Sequence, residues 1–499
     1  MANLTDARLG KPARASLVEA VYKPILARDS AMFDAYVSVD LAHVSMMAEQ
    51  GIISLAAAKA LLSTLLEIRE KGPGLLGIDP SKGSLLLQVE HYIASRVGQD
   101  AAGVLQLARS RIDQNAAISR VHARDSLLDI IEKVLAFQET IRNRAAEWVD
   151  VLMPGYTHLQ HAQPWILGHY ALYQYDVFAR DFERLFQIYD RVNMNSLGGV
   201  ALAGTSWPID RRRTTALLGH SAPIRNSKDC GGFAMDYLAE IASGLSILMS
   251  GLSRLASELY IWSSWEFSLV ELDEGLCGTS SIMPQKKNPY VLERVRALGG
   301  ESIGWMPSQL GMLRTPTSID SDRFFSSGNL EFFETTNWAL MLMEDVVATL
   351  RINKDLMAER AGAHWSTASN LADVIVREER LDFRRAHHIV GALVKASLEQ
   401  KLSPQSVGAA ELDAAAEKTI GRSLSLSDAQ IHQALDATAF VSTRTSEGSV
   451  GPSEVAKMLR MAADDSKAAA GRLREERARL KAAAEALDAA VAAILARSN

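Results

Sequence analysis

A seam of apolar residues dictates what the middle of this chain can become. Leu238, Ile241, Leu245, Leu248, Leu252, Leu255, Leu259 and Trp262 follow one another in steps that alternate three and four. That spacing draws a stripe along one face of an α-helix, and such a stripe must be buried against partner helices. The pattern predicts one long helix from about Asp229 to Phe267, on the order of 55 Å at 1.5 Å per residue. Gly231, Gly232, Gly244 and Gly251 weaken a helix on propensity. Either they let a neighbouring helix come close or the helix is shorter than its periodicity. Similar patterns run from about Asp113 to Leu152, Pro164 to Asn195 and Asn288 to Leu313. Alternating runs of Val, Ile and Thr between turn pairs do not recur. An all-α fold follows, with helices bundled to bury their seams.

A chain of 499 residues exceeds one compact core. The expected division is an N-terminal helical domain at about 1–107, a central long-helix bundle at about 108–355 and a C-terminal helical domain at about 356–499. The tail from Val455 to Ala496, rich in Ala, Glu, Lys and Arg, reads as a solvated surface helix. The net charge of −6 is mild, and no basic stripe with interleaved aromatics points to nucleic acid. The run Arg211–Arg213 reads as a solvated face. No apolar stretch reaches membrane-spanning length, and the first residues lack the charged head and apolar core of a signal peptide. Cys230 and Cys277 are the only cysteines, too few for a disulfide framework and in no spacing that suits zinc. A cytoplasmic setting is the default expectation.

Residues 278–289 carry the chemistry. They read Gly-Thr-Ser-Ser-Ile-Met-Pro-Gln-Lys-Lys-Asn-Pro. Gly278, Pro284 and Pro289 forbid a long helix, so the stretch is a shaped loop. Ser280, Ser281, Lys286 and Asn288, together with backbone N–H groups, suit an anion that forms during a reaction. For an arbitrary Ser-Ser-Lys turn, a solvated surface role would be the better reading.

This string resembles the signature loop of the aspartase/fumarase superfamily, and its Gln-Lys-Lys-Asn-Pro ending is similar to the argininosuccinate lyase branch. Met153 to Gln160, followed by Ala162 to Pro164, resembles the second region of that family, and Ala108 to Arg111 with Asp113 and Gln114 resembles the first. Outside the motifs, Ala48–Ser54, Trp207–Asp210 and Ala386–Gly391 look like the same branch, and the resemblance spans roughly residues 30–465. Three motifs in the right order are far more specific than one.

The resemblance implies an all-α homotetramer whose central domains form one bundle and whose active sites each draw on three subunits. It implies β-elimination from an N-substituted aspartate, releasing fumarate and an amine, with no metal or cofactor. Ser280 corresponds to the catalytic base, acting as an alkoxide. Thr157 and His158 correspond to the pair that contacts a carboxylate and relays a proton. Lys286 and Asn288 correspond to carboxylate binders, as do Ser110 and Arg111. Gln163 orients the site, and His91 corresponds to a histidine near the substrate. Ser281 and Met283 complete the substrate-binding set, with loop shaping the alternative role for Ser281. Lys287 reads as the solvated neighbour of Lys286, Arg109 as a structural ion-pair partner and His161 as structural.

Three departures bear on specificity. Gly278-Thr279 stands where the family has Thr-Gly, which puts a β-branched residue in place of glycine. Ile112 replaces an asparagine, which removes a polar contact to the succinyl part of the substrate. Ile319 to Phe324, with Asp320, Asp322 and Arg323, replaces a segment in which a Tyr and a Gln of argininosuccinate lyases hold the amino-acid part of the substrate. The chemical machinery is kept while the leaving-group pocket differs, so the amine is left open between arginine and another N-succinyl amine or aminopolycarboxylate. A non-catalytic protein on the lyase fold and a fumarase-like C–O lyase are the rival readings.

Overall fold

A computed structural model describes residues 13–231, 235–314 and 331–498. The fold is all-α. The strands among these residues are two residues long and meet only in two-stranded pairs. The predicted segment Ile319–Phe324 lies outside the described residues.

The apolar seam becomes helix Asp236–Trp262, and all eight seam residues lie in the largest buried cluster. The helix is shorter than its periodicity predicts: a short 3₁₀ turn, Ser227–Cys230, precedes it, and the chain bends after Trp262. Gly244 belongs to the helix because of a close approach. A Cβ there would lie 2.6 Å from Ile188 Cδ1 on helix Leu167–Val192. The bundle is completed by helices Arg111–Glu147, Tyr290–Ser302 and Glu331–Thr349.

The two ends of this bundle are distinguishable. At one end, the Tyr237 hydroxyl donates to Ser119 Oγ at 3.1 Å, so the Asp236 helix starts beside the first turns of the Arg111 helix. At the other, the Trp262 ring lies 4.8 Å from Tyr170, and Trp148 lines the same small cavity. The Arg111 and Asp236 helices therefore run in the same direction, with the Leu167 helix packed against both.

A second cluster joins helices Phe33–Glu49, Leu55–Lys71 and Leu85–Val97, and a third runs from Trp365 to Leu435. The C-terminal helix, Pro452–Ala496, is not the fully solvated rod that its composition suggested. Leu473 enters the first cluster, and Leu487, Val491 and Ile494 enter the second. A narrow apolar stripe is hidden among the alanines, and 45 residues suffice to reach from one core to the other.

Asp181, inside the bundle, gives a test of its electrostatics. Burial lifts its pKa to about 6, against the opposing pull of Arg184 and Arg180. A carboxyl whose folded pKa lies above its unfolded value holds its proton more tightly when folded. Stability from this group is therefore greatest below about pH 4 and falls as pH rises through about 6. Asp181→Asn should raise stability above neutrality by on the order of 2–3 kcal/mol and flatten its pH dependence. Urea unfolding at acid and alkaline pH measures this; an unchanged or lower alkaline midpoint in the variant would refute it.

Candidate active site

The first region begins the Arg111 helix. Ser110 is its N-cap: its hydroxyl accepts the Ile112 amide at 3.3 Å, while Asp113 accepts the Ser110 amide at 2.8 Å. This reciprocal cap fixes the first turn and leaves Arg111 exposed on it. Asp113 does more than the motif alone reveals. Its second oxygen accepts the Gly198 and Val200 amides at 3.0 and 2.9 Å and thereby holds a loop against the helix start. Burial raises the Asp113 pKa, and these amides pull it back. Arg109 points the other way, into a buried ion pair with Asp40 at 2.7 Å, as expected of a structural partner. Gln114 donates to the same Asp40 oxygen at 2.8 Å. His91 is exposed on the Leu85–Val97 helix. Its neighbour Glu90 accepts from Gln106, which also bonds Gln114 at 3.1 Å. That relay sets the His91 helix beside the first turn of the Arg111 helix.

The second region is a hairpin. Tyr156–Thr157 pairs with Gln160–His161, and His158 and Leu159 form its two-residue tip at φ 56° and 58°. Two non-glycine residues in the left-handed region make a turn that matches strand twist but is strained for side chains with a Cβ. Strain of this kind, on the histidine expected to relay a proton, fits a functional constraint better than a structural one. Thr157 and His158 are exposed in the single chain. Gln163 donates to Ser369 Oγ at 3.1 Å, so it ties the hairpin to the segment that follows the bundle.

The third region is also a hairpin. Gly278 pairs with Asn288 and Thr279 with Lys287, and residues 280–286 form the loop between. Thr279 suits its place because a β-branched residue favours a strand. A Cβ at Gly278 would fall 2.2 Å from the Tyr290 ring, so a larger residue there would have to displace that ring. Ser280 Oγ accepts the amides of Ile282 and Met283 at 3.3 and 3.0 Å. Donors aimed at that oxygen favour its anionic form over the neutral hydroxyl. Ser281, Met283 and Lys286 are exposed around it, and Asn288 is half-buried at the strand end. Lys287 is not simply solvated: it forms an ion pair with Glu271 at 2.8 Å across the hairpin base.

The single chain does not bring the three regions together. Ser110 and Thr157 flank opposite ends of a 37-residue helix, about 55 Å apart along its axis. The signature hairpin follows Trp262 and shares the Thr157 end of the bundle, where Phe267 packs 5.6 Å from Tyr156. Among the described residues, no hydrogen bond or ion pair of the single chain links one region to another. Asp40, Arg360 and His364, which brace these regions, carry no motif that would have marked them in the sequence. No group of three or more His, Cys, Asp or Glu among the described residues is placed to hold a metal ion. No helix among them is long and apolar enough to cross a membrane.

A family model described as Lyase matches residues 31–304, and one described as Argininosuccinate lyase C-terminal matches 365–442. Argininosuccinate lyase of Methanococcoides burtonii is 38% identical over 436 residues, covering 86% of this chain and 87% of its own length. Argininosuccinate lyase 1 of Shouchella clausii is 35% identical over 460 residues, with 91% of each chain covered. Among solved structures, EDDS lyase in complex with formate matches with a TM-score of 0.86 at 32% identity, over 97% of both chains. The 3-carboxy-cis,cis-muconate lactonizing enzyme of Pseudomonas putida shares the fold, with a TM-score of 0.69 at 16% identity over 91% of this chain and 100% of its own.

Proposed function

The chain belongs to the aspartase/fumarase superfamily, in its argininosuccinate lyase branch, and is a carbon–nitrogen lyase that releases fumarate; from that premise we propose how its residues divide the work. Ser280, as alkoxide, removes a proton from the carbon next to a carboxylate of an N-substituted aspartate. The electron pair passes toward that carboxylate, making a dianion that Lys286, Asn288 and loop amides stabilise. The C–N bond then breaks, fumarate forms, and His158, with Thr157, delivers a proton to the departing amine. Ser110, Arg111, Gln163, His91, Ser281 and Met283 hold the substrate. The observation that carries this reading is the Ser280 oxygen, cradled by two amides at the tip of a polar hairpin.

The site is completed between subunits of a cytoplasmic homotetramer. The distance between Ser110 and Thr157 along the Arg111 helix supports this, as do exposed Ile247, Trp338 and Met341 on the long bundle helices. The three larger buried clusters support three helical domains near residues 107 and 355, with the Pro452–Ala496 helix packing on the first two rather than on the third. Ile112 stands directly after Arg111 and contributes only its amide to the Ser110 cap, so it offers no side-chain hydrogen bond to the succinyl part of the substrate. The amine is addressed by the sequence of Ile319–Phe324, which lacks the Tyr and Gln that hold the amino-acid part in argininosuccinate lyases. A pocket without those polar contacts favours an amine other than arginine.

Fumarate absorbance tests this with argininosuccinate and a panel of N-substituted aspartates as donors. Release from a panel member at a higher kcat/KM than from argininosuccinate is the expected result. Faster release from argininosuccinate would overturn the weight given to Ile112, Ile319 and Phe324, and silence from every donor would overturn the assigned chemistry.

A further inference from the structure

The base of the Thr157–His158 hairpin is fastened by a pair of histidines. His161 sits opposite Tyr156 in the strand pair, their rings 5.0 Å apart. It also meets His364, ring to ring at 4.6 Å and 61°. Phe267, packed on Tyr156, accepts the Arg360 guanidinium on its carbonyl at 2.7 Å. His364 and Trp365 both stand in the left-handed region, at φ 53° and 62°. Their surroundings must hold them there, and Trp365 is anchored in the third core. With the Gln163–Ser369 bond, the hairpin is tied at two points to the segment that enters that core.

The titratable and charged groups around His161 are Tyr156 on its own hairpin and Arg360 and His364 on the facing segment. Phe267, from the turn after the Asp236 helix, carries no charge. Burial first, then the His364 and Arg360 charges, hold the His161 pKa below the ordinary histidine value, against the opposing pull of a hydrogen bond to the Arg360 backbone. Its Nδ1 is buried without a hydrogen-bond partner. A proton on His161 would set its positive charge against the Arg360 guanidinium.

We propose that His161 is a positioning residue: its neutral ring, packed on His364, holds the hairpin that presents Thr157 and His158, and a proton on that ring releases it. This rests on the lyase reading above. The sign follows from the lowered pKa: the clamp is complete above the ordinary histidine range and is lost as pH falls through the folded value.

The test uses the full-length protein with His161→Ala and His161→Phe. His161→Ala should lower kcat about tenfold with KM moving less than about twofold, the signature of a displaced proton relay rather than lost binding. His161→Phe restores a ring that cannot titrate. It should regain most of that loss and move the acid limb of kcat to lower pH by about half a unit or more. Hydrogen exchange of residues 155–163, corrected for its intrinsic pH dependence, should speed up at acid pH in the wild type and not in His161→Phe. An acid limb that stays in place in His161→Phe, or the same exchange in both proteins, would overturn the proposal. Exchange is read without substrate, so it judges the clamp even if no donor is turned over.

Discussion

Ser280→Ala should lower kcat for fumarate release by about a thousandfold or more, roughly 4 kcal/mol of transition-state stabilisation. The base disappears, and water has no equivalent path to the carbon-bound proton. Nothing else of consequence changes. Ser280 lies in a hairpin loop flanked by exposed residues, so the melting temperature should move by no more than about a degree or two. The amides of Ile282 and Met283 lose an acceptor but keep access to water. Ser281→Ala is the matched control and should cost far less, because no backbone donor is aimed at its hydroxyl. Steady-state kinetics on the best donor decide the matter. Activity within about tenfold of wild type in Ser280→Ala would remove this residue from the role of base.

Asp40→Ala should destabilise the N-terminal core by about 3–5 kcal/mol. Arg109 has no exposed side-chain surface, and its partner Asp40 is almost as deeply buried. Removing the carboxylate strands a guanidinium in the interior and frees the Gln114 amide as well. The cost arises from the unpaired charge more than from the lost attraction. The double variant Asp40→Ala with Arg109→Leu should therefore recover a good part of the loss. Denaturant titration of the three proteins measures this. A single variant as stable as wild type, or a double variant no better than the single, would show that the pair is not what holds the helix start in place. Activity should fall alongside stability, since Ser110 and Arg111 follow Arg109 directly.

The fold was legible wherever one face of a helix had to be apolar. The Asp236 helix, the Arg111 helix and the Leu167 helix all follow from their periodicity. Their ends did not, because helix ends depend on caps and close approaches rather than on the stripe. Gly244 left two readings open, and only the position of Ile188 chooses between them. The site was legible as motifs, which name side chains but not their spatial neighbours. Ser280 could be picked out from its loop; the two amides that face its oxygen could not. Lys287 looked solvated because its partner Glu271 lies sixteen residues away, beyond local pattern. Asp40 and His364 were invisible for the same reason: their roles arise from contacts between distant segments. The departures at Ile319–Phe324 fall outside the described residues, so their bearing on the amine rests on the sequence alone.

The C-terminal helix also has a consequence for the order in which the protein can be made. Leu487, Val491 and Ile494 complete the same core as Leu41, Leu61 and Leu65, and Lys59 bonds the carbonyl of Arg497 at 2.5 Å. A ribosome synthesises the first helices long before it reaches those residues. Throughout that interval the N-terminal core presents an uncovered apolar face, and no amount of waiting closes it. The N-terminal core therefore cannot mature by itself: it is finished by the last turns of the helix Pro452–Ala496, made after both other cores.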